Sequence, residues 1–252
     1  MKTNLFLFFA LALSLASALA QPTRPAGQTT YVIVHGAWGG SWAFKKVDSM
    51  LTARGALVYR PALTGQGERV HLATPEVGLS THIDDVVNTI LFENLRDIVL
   101  VGHSYGGMVI TGVADRVPDR IRRLVYLDAF VPNDGESVFS AQGSTAEGIK
   151  KMEKNGFIVP PWAKTDQAPP KDVPQPLKTF TEPISLKNAT ARQLPATYIL
   201  TVDPGKTPEQ DGFAKYAARA KERNFTFRQM DQTDHNPQWS KPEELVSLLD
   251  QK

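Results

Sequence analysis

The chain has 252 residues, of which 42% are hydrophobic, so it is long and apolar enough for one α/β domain with a sizeable core. Its 28 basic and 26 acidic residues nearly cancel, and this balance gives no argument for binding nucleic acid or an anionic membrane. Because the chain contains no cysteine, disulfide bonds, thiol catalysis and thiolate metal sites are excluded.

The first residues are typical of a secretory signal peptide. Lys2 precedes an apolar run over residues 5–13, and Ala-Leu-Ala at 18–20 forms a small-residue cleavage site. A retained membrane anchor is the alternative, but the apolar run is shorter than a bilayer span. We therefore expect residues 1–20 to be removed on export to the periplasm or the outside, leaving no stable membrane anchor.

Beyond this leader, apolar strand patterns alternate with helical patterns. Short β-branched runs indicate buried strands at 31–34, 57–59, 98–101, 121–127, 196–201 and 225–230. Helical spacing predicts helices at 42–54, 81–94, 212–223 and 241–250, and another after Ser104 that stops before Pro118. Ser80 or Thr81 is the expected N-cap of the second helix. This alternation predicts a mainly parallel, six-stranded, doubly wound sheet.

The alternation stops between residues 132 and 195. Prolines crowd the middle of this stretch, and only 142–155 has the pattern of a helix. An insertion of this length after the fourth strand predicts a cap over one end of the sheet, with the core formed by 21–131 and 196–252. A disordered linker is the alternative. The stretch has apolar residues with which a cap could pack, namely Phe157, Trp162, Leu177, Phe180 and Ile184.

A G-x-S-x-G motif at 102–106 lies between the third strand and its helix. A sharp strand-to-helix turn needs glycines, because side chains at the flanking positions would collide with the strand or helix. Such a turn lifts the Ser104 hydroxyl out of the sheet at the start of a helix. The alternative is a tight turn with an incidental serine.

A serine hydroxyl needs a neighbouring base to remove its proton and a third group to orient that base. With a nucleophile in this kind of turn, the chain order is serine, acid, histidine. Of the five histidines only His235 follows Ser104, and it lies in the loop after the last strand. We therefore predict that His235 is the base; a surface loop residue is the alternative.

Three aspartates are candidates for the orienting acid. Asp203 follows the fifth strand and is the first choice, because the carboxyl ends of parallel strands lie at the same edge as Ser104 and His235. Asp128, at the end of the fourth strand, is the second choice, and Asp211 is the third.

The developing oxyanion needs preorganised donors. The backbone N–H of Tyr105 lies at a helix N-terminus, and the loop after the first strand offers the N–H of Ala37. His35 in that loop is expected to make structural hydrogen bonds. Trp38, Phe157 and Trp162 are candidates for an apolar substrate pocket.

Four segments together carry a resemblance to a known family. They are VHGAWGGSW at 34–42, GHSYGGM at 102–108, LDAFVP at 127–132 and TDH at 233–235. They resemble the α/β-hydrolase superfamily, and most closely its branch of plant methylesterases, hydroxynitrile lyases and small bacterial esterases. The resemblance extends over roughly 31–249 and is weakest in the cap. It implies a triad of Ser104, His235 and Asp203, with Ala37 and Tyr105 forming the oxyanion hole.

The resulting hypothesis is an exported serine carboxylesterase that acts on small to medium carboxylic esters without cofactor or metal. A hydroxynitrile lyase is an alternative, but lyases of this branch have Thr where Gly36 stands and Lys where Asn236 stands. A non-catalytic ligand-binding protein of the same fold is a second alternative. The expected partner is a small-molecule ester, and the sequence indicates no particular oligomeric state.

Overall fold

The computed structural model describes residues 27–143, 146–164 and 166–251, so the predicted signal peptide lies outside the described residues. Within them, a six-stranded sheet and a small three-stranded sheet are formed. The strands are β1 (Thr30–Val34), β2 (Leu57–Tyr59), β3 (Ile98–His103), β4 (Ile121–Leu127), β5 (Glu153–Lys154), β6 (Phe157–Ile158), β7 (Gln175–Pro176), β8 (Ala196–Val202) and β9 (Thr226–Asp231).

The large sheet has the order β2-β1-β3-β4-β8-β9, and all of its neighbouring strands are parallel. This confirms the predicted fold class. The helices are α1 (Lys45–Ala53), α2 (Leu79–Phe92), α3 (Gly106–Arg116), α4 (Val138–Gln142), α5 (Ala146–Lys150), α6 (Lys178–Thr181), α7 (Ala214–Glu222), α8 (Pro237–Ser240) and α9 (Pro242–Leu249). In the described part of the chain, no helix is both long and apolar enough to cross a bilayer.

Two apolar layers cover the two faces of the sheet. Along β3, Ile98 and Leu100 pack with α2, α3 and α7, whereas Val99 and Val101 pack with α1 and α9. Successive side chains of a strand point to opposite faces, so a strand covered on both faces is apolar throughout. The continuous apolar run that predicted β3 is therefore the signature of its central position.

Residues 132–195 fold into α4, α5, the antiparallel sheet β5-β6-β7 and α6. The helix predicted at 142–155 is wrong beyond Lys150, because the chain turns back between β5 and β6. Asn155 and Gly156 form that turn with φ angles of +52° and +82°. An Asn-Gly pair with positive φ at both positions is a strong hairpin signal, and here it overrides the helical spacing.

The start of α2 also differs from its prediction. The helix begins at Leu79 with Gly78 as N-cap, so neither Ser80 nor Thr81 caps it. The Ser80 N–H donates to the Glu182 carboxylate at 3.1 Å. Since Glu182 lies in the inserted segment, that segment satisfies a free donor at the terminus of a core helix.

We expect Gly107→Ala to destabilise the fold. A Cβ atom on Gly107 would lie 2.1 Å from the Phe130 carbonyl oxygen, so α3 would have to move away from the chain that follows β4. The free energy of unfolding should fall by about 3 kcal/mol, as overpacking of this kind does. Urea unfolding measures the change.

Gly148→Ala is the matched control, because a Cβ atom on Gly148 would meet nothing within 4 Å. It lies in helix α5, where alanine is the better helix former, so this variant should be at least as stable as the wild type. Equal stability of the two variants would contradict the packing argument.

Candidate active site

Ser104 lies on a strained turn between β3 and α3. Its φ of +54° is in the left-handed region, which a side chain rarely adopts. A Cβ atom on Gly102 would lie 2.6 Å from the Gly106 carbonyl oxygen, and one on Gly106 would lie 2.7 Å from that of Val34. The two glycines of the motif are therefore required by close packing, and they leave Ser104 half-buried on the wall of a cavity of about 470 Å³.

His235 lines the same cavity. Its Nδ1 lies 2.5 Å from Oδ2 of Asp128, so Nδ1–H donates to the carboxylate and Nε2 is left as the acceptor. The ring is stacked on Phe213 at 4.8 Å and 11° and packs against the His103 ring at 4.7 Å. The hydrogen bond and the two ring contacts together fix the plane of the imidazole.

The structure places the second candidate acid, rather than the first, beside His235. Asp203 has a side chain that is 36% exposed and pairs with Lys206 at 2.7 Å, in the turn after β8. Asp128 is only 1% exposed and is the carboxylate that contacts His235. It follows β4, the strand that pairs with β3, so it emerges beside Ser104.

Backbone bonds hold Asp128 in place. Its own N–H donates to the Ile199 carbonyl oxygen at 2.7 Å, and its Oδ1 accepts the Thr201 N–H at 3.3 Å. Its φ is +41°, a second strained position next to the cavity. Burial raises the pKa of Asp211, the third candidate, and the nearby charge of Asp128 raises it further. Asp211 accepts the Phe213 N–H at 2.8 Å, behind the ring that stacks on His235.

The loop of the expected oxyanion hole packs directly on the serine turn. A Cβ atom on Gly36 would lie 3.1 Å from Cβ of Ser104. His35 holds the loop, because its Nδ1–H donates to the Gly36 carbonyl oxygen at 2.8 Å and its Nε2 accepts the Leu63 N–H at 3.3 Å. Among the residues that the structure describes, no carbonyl accepts the backbone N–H of Ala37 or Tyr105. Both groups are therefore free to bind an oxyanion.

The inserted segment is bonded to this loop through Trp38. The Trp38 backbone N–H donates to Oε1 of the buried Gln175 at 2.8 Å, and its indole N–H donates to the Ile158 carbonyl oxygen at 3.2 Å. Trp38 has a φ of +63°, so these bonds hold a strained residue next to Ala37. We conclude that the cap helps to set the position of the loop.

Trp38 and Trp162 line the cavity as the sequence suggested, whereas Phe157 does not. Phe157 instead lies in β6 of the small sheet, opposite Pro176 of β7. Sequence reasoning missed Trp239 and Asp172, which also line the cavity. Neither carries a motif signal, because the cap and the last loop bring them to the site only through the fold.

His103 lies inside the serine motif and contacts the loop that carries His235, a contact that the sequence did not indicate. Its Nε2–H donates to the His235 carbonyl oxygen at 2.7 Å. This hydrogen bond connects the loop that carries His235 to the end of β3. Burial lowers the pKa of His103 to about 3, so the ring stays neutral. Over the described ranges, no group of three or more His, Asp or Glu side chains is arranged to hold a metal ion.

Comparisons with known proteins agree with this fold. The model of the alpha/beta hydrolase family matches residues 31–248. A carbendazim-hydrolysing esterase of Nocardioides sp. strain SG-4G is 40% identical over 190 residues, covering 68% of this chain and 78% of the relative. Putative methylesterase 14 of Arabidopsis thaliana, a chloroplastic protein, is 26% identical over 249 residues, covering 87% and 70%.

Among solved structures, an extracellular alpha/beta-hydrolase from a Paenibacillus species superposes with a TM-score of 0.71 at 26% identity, covering 88% of this chain and 97% of that one. Its description gives it structural and functional homology to tobacco salicylic acid binding protein 2. The chain belongs to the alpha/beta hydrolase family. Within this family it is an enzyme of the carboxylic ester hydrolase class.

Two substitutions separate the candidate acids. Asp128→Asn should lower kcat by about 10⁴-fold, because an amide favours the wrong tautomer of His235 and does not stabilise the imidazolium. Asp203→Asn should leave kcat close to that of the wild type, since it removes an exposed ion pair. Steady-state kinetics on one ester checks both, with circular dichroism as the control for folding. The opposite ranking would restore Asp203 as the acid.

Stability should fall in mild acid because of the buried histidines. Burial lowers the pKa of His35 to about 4 and the pKa values of His82 and His103 to about 3, from 6.5. As the pH falls below 6.5, these histidines therefore bind protons in the unfolded chain before they do so in the folded protein. The free energy of unfolding should be fully retained above pH 6.5 and fall below it, by up to about 1.4 kcal/mol per pH unit for each histidine.

Urea unfolding at pH 7, 6 and 5 measures this slope. His82→Gln should make it shallower, whereas His71→Gln, at an exposed position, should leave it unchanged. A wild-type stability that stays flat from pH 7 to pH 5 would contradict the assignment of neutral buried imidazoles.

Proposed function

We propose that this enzyme is an exported serine carboxylesterase with the triad Ser104, His235 and Asp128. The observation that carries the proposal is the hydrogen bond between Nδ1 of His235 and Asp128, which leaves Nε2 as the acceptor of a residue that lines the same cavity as Ser104. This arrangement supplies a nucleophile, a base and an orienting acid, as acyl transfer requires.

In the proposed reaction, Nε2 of His235 takes the proton of Ser104 as Oγ attacks the ester carbonyl carbon. The N–H groups of Ala37 and Tyr105 bind the oxyanion that forms. The C–O bond to the alcohol then breaks, and the alcohol leaves with the proton from His235. A water molecule, deprotonated by His235, attacks the acyl-enzyme and releases the acid with Ser104 restored.

The size and lining of the cavity support small to medium esters with an apolar or aromatic part. It has a volume of about 470 Å³, and the indole rings of Trp38, Trp162 and Trp239 form much of its apolar wall. Similarity to the carbendazim-hydrolysing esterase makes carbendazim a substrate worth testing. The match to methylesterases points to methyl esters as a second group.

The local packing opposes the lyase alternative. A Cβ atom on Gly36 would already lie 3.0 Å from Nδ1 of His103, so the threonine of the lyases would require a neighbour to move by a few tenths of an ångström. Asn236 follows His235 and provides no ammonium group for a leaving cyanide. A protein that only binds ligands does not need a histidine oriented by a buried carboxylate, as His235 is by Asp128.

Export rests on the sequence at 1–20 and is tested separately. Expression of the full chain in a bacterial host should give a secreted or periplasmic product whose N-terminus begins at Gln21. N-terminal sequencing of that product decides the point. A product that retains Met1 in the cytoplasm would overturn export without affecting the proposed chemistry.

Ser104→Ala should abolish ester hydrolysis. We expect kcat on a p-nitrophenyl ester series from acetate to octanoate to fall by at least about 10³-fold, since the nucleophile is lost. Ser247→Ala is the matched control, because Ser247 lies on the exposed face of α9, and it should keep wild-type rates. Unchanged turnover in Ser104→Ala would sink the serine mechanism.

A further inference from the structure

We propose that Asp172 makes the active-site cavity select cationic over anionic ligands, so that the preferred esters carry an ammonium or a comparable cationic group on an aromatic part. This inference rests on the proposed function only in naming esters as the ligands; the binding preference itself is a property of the cavity. Asp172 lies in the cap and lines the cavity together with Ser104 and His235.

The Asp172 carboxylate is held at the junction of the cap and the oxyanion loop. Its Oδ2 accepts the indole N–H of Trp162 at 2.8 Å. Its Oδ1 lies 4.0 Å from the position of a Cβ atom on Gly39, two residues after Ala37. The neighbouring backbone is fixed as well, because the Val173 N–H donates to the Trp38 carbonyl oxygen at 2.8 Å.

Among the described residues that line the cavity, none is a lysine or an arginine that could offset this carboxylate. Within the described part of the chain, no basic side chain lies within 4.0 Å of the Asp172 oxygens, so the indole N–H is their hydrogen-bonding partner. His35 and His103 are buried and neutral at pH 7, because burial holds the pKa of each well below 6.5. Asp172 therefore gives the wall a negative charge, in addition to that of Asp128 behind His235.

The aromatic wall beside Asp172 has the matching chemistry. Trp162 packs edge-to-face against Trp38 with ring centroids 5.3 Å apart, and 54% of Trp162 remains exposed. Indole faces attract cations, and a carboxylate bonded to the edge of one indole adds a charge partner at the same place. An aromatic ligand with a cationic substituent can use both groups, whereas its anionic counterpart is repelled.

The test uses the matched pair phenethylammonium and 3-phenylpropanoate, titrated at pH 7.5 into the mature protein. Tryptophan fluorescence reports binding, because indoles line the cavity, and it needs no catalysis. We expect the ammonium to bind about tenfold more tightly than the carboxylate, as one unit charge a few ångströms away in a partly exposed site provides. In Asp172→Asn only the cation–π attraction of the indoles still favours the ammonium. The ratio of the two Kd values should therefore fall by about fivefold or more.

The control is Asp166→Asn, which removes the same charge from an exposed position of the cap outside the cavity and should keep the wild-type ratio. The inference is overturned by equal Kd values in the wild type, by tighter binding of the carboxylate, by an unchanged ratio in Asp172→Asn, or by binding of neither compound. If Asp172→Asn does not fold, equal wild-type Kd values or tighter binding of the carboxylate still overturn the inference. Loss of ester hydrolysis in all assays, with the cationic preference intact, would instead overturn the proposed function.

Discussion

The close approach of β3, α3 and the loop after β1 is the constraint on which the rest of the site depends. At Gly102, Gly106 and Gly107 the neighbouring backbone leaves no space for a Cβ atom. Backbone atoms in contact at this density allow little relaxation, so the strained φ of Ser104 is over-determined by its surroundings. The proposed nucleophile, Ser104, is thereby presented by the fold itself, and its position does not depend on side-chain hydrogen bonds.

The cap is joined to the core by polar bonds as well as by apolar packing. Gln175 accepts from the backbone of Trp38 and donates to Thr179 at 2.8 Å, within a buried setting. Glu182 accepts from the first turn of α2. Buried polar groups left without partners are costly, so these bonds favour one arrangement of the cap over the sheet. The same bonds explain how a proline-rich segment with little regular structure can still form a well-defined wall of the cavity.

The sequence predicted the sheet well because buried parallel strands leave a strong signal. The bounds 57–59 and 121–127 match β2 and β4, and the other strands differ by one or two residues. It could not tell which of Asp203 and Asp128 contacts His235, because both follow strands that end at the same edge. Which carboxylate turns inward is decided by the turn after each strand. The turn after β8 pairs Asp203 with Lys206, and this contact cannot be read from spacing.

The cap was the least predictable part for a related reason. Its strands are two residues long, so they carry no periodicity, and the Asn155-Gly156 turn was the one local signal available. Trp239 and Asp172 reach the cavity from α8 and the cap, far apart in the chain. Only the tertiary structure brings these two residues to the cavity, and no sequence motif indicates it.

The electrostatics around His235 are asymmetric, and this asymmetry suits a base. Its Nδ1 side faces the buried carboxylate of Asp128, which also accepts the Thr201 N–H. The rings that flank it are the apolar Phe213 and the neutral His103. In the proposed mechanism, the imidazolium of His235 would therefore lie next to one carboxylate and two uncharged rings. Neutral neighbours suit the role proposed for His235, because a protonated His103 at 4.7 Å would repel the imidazolium of the proposed mechanism.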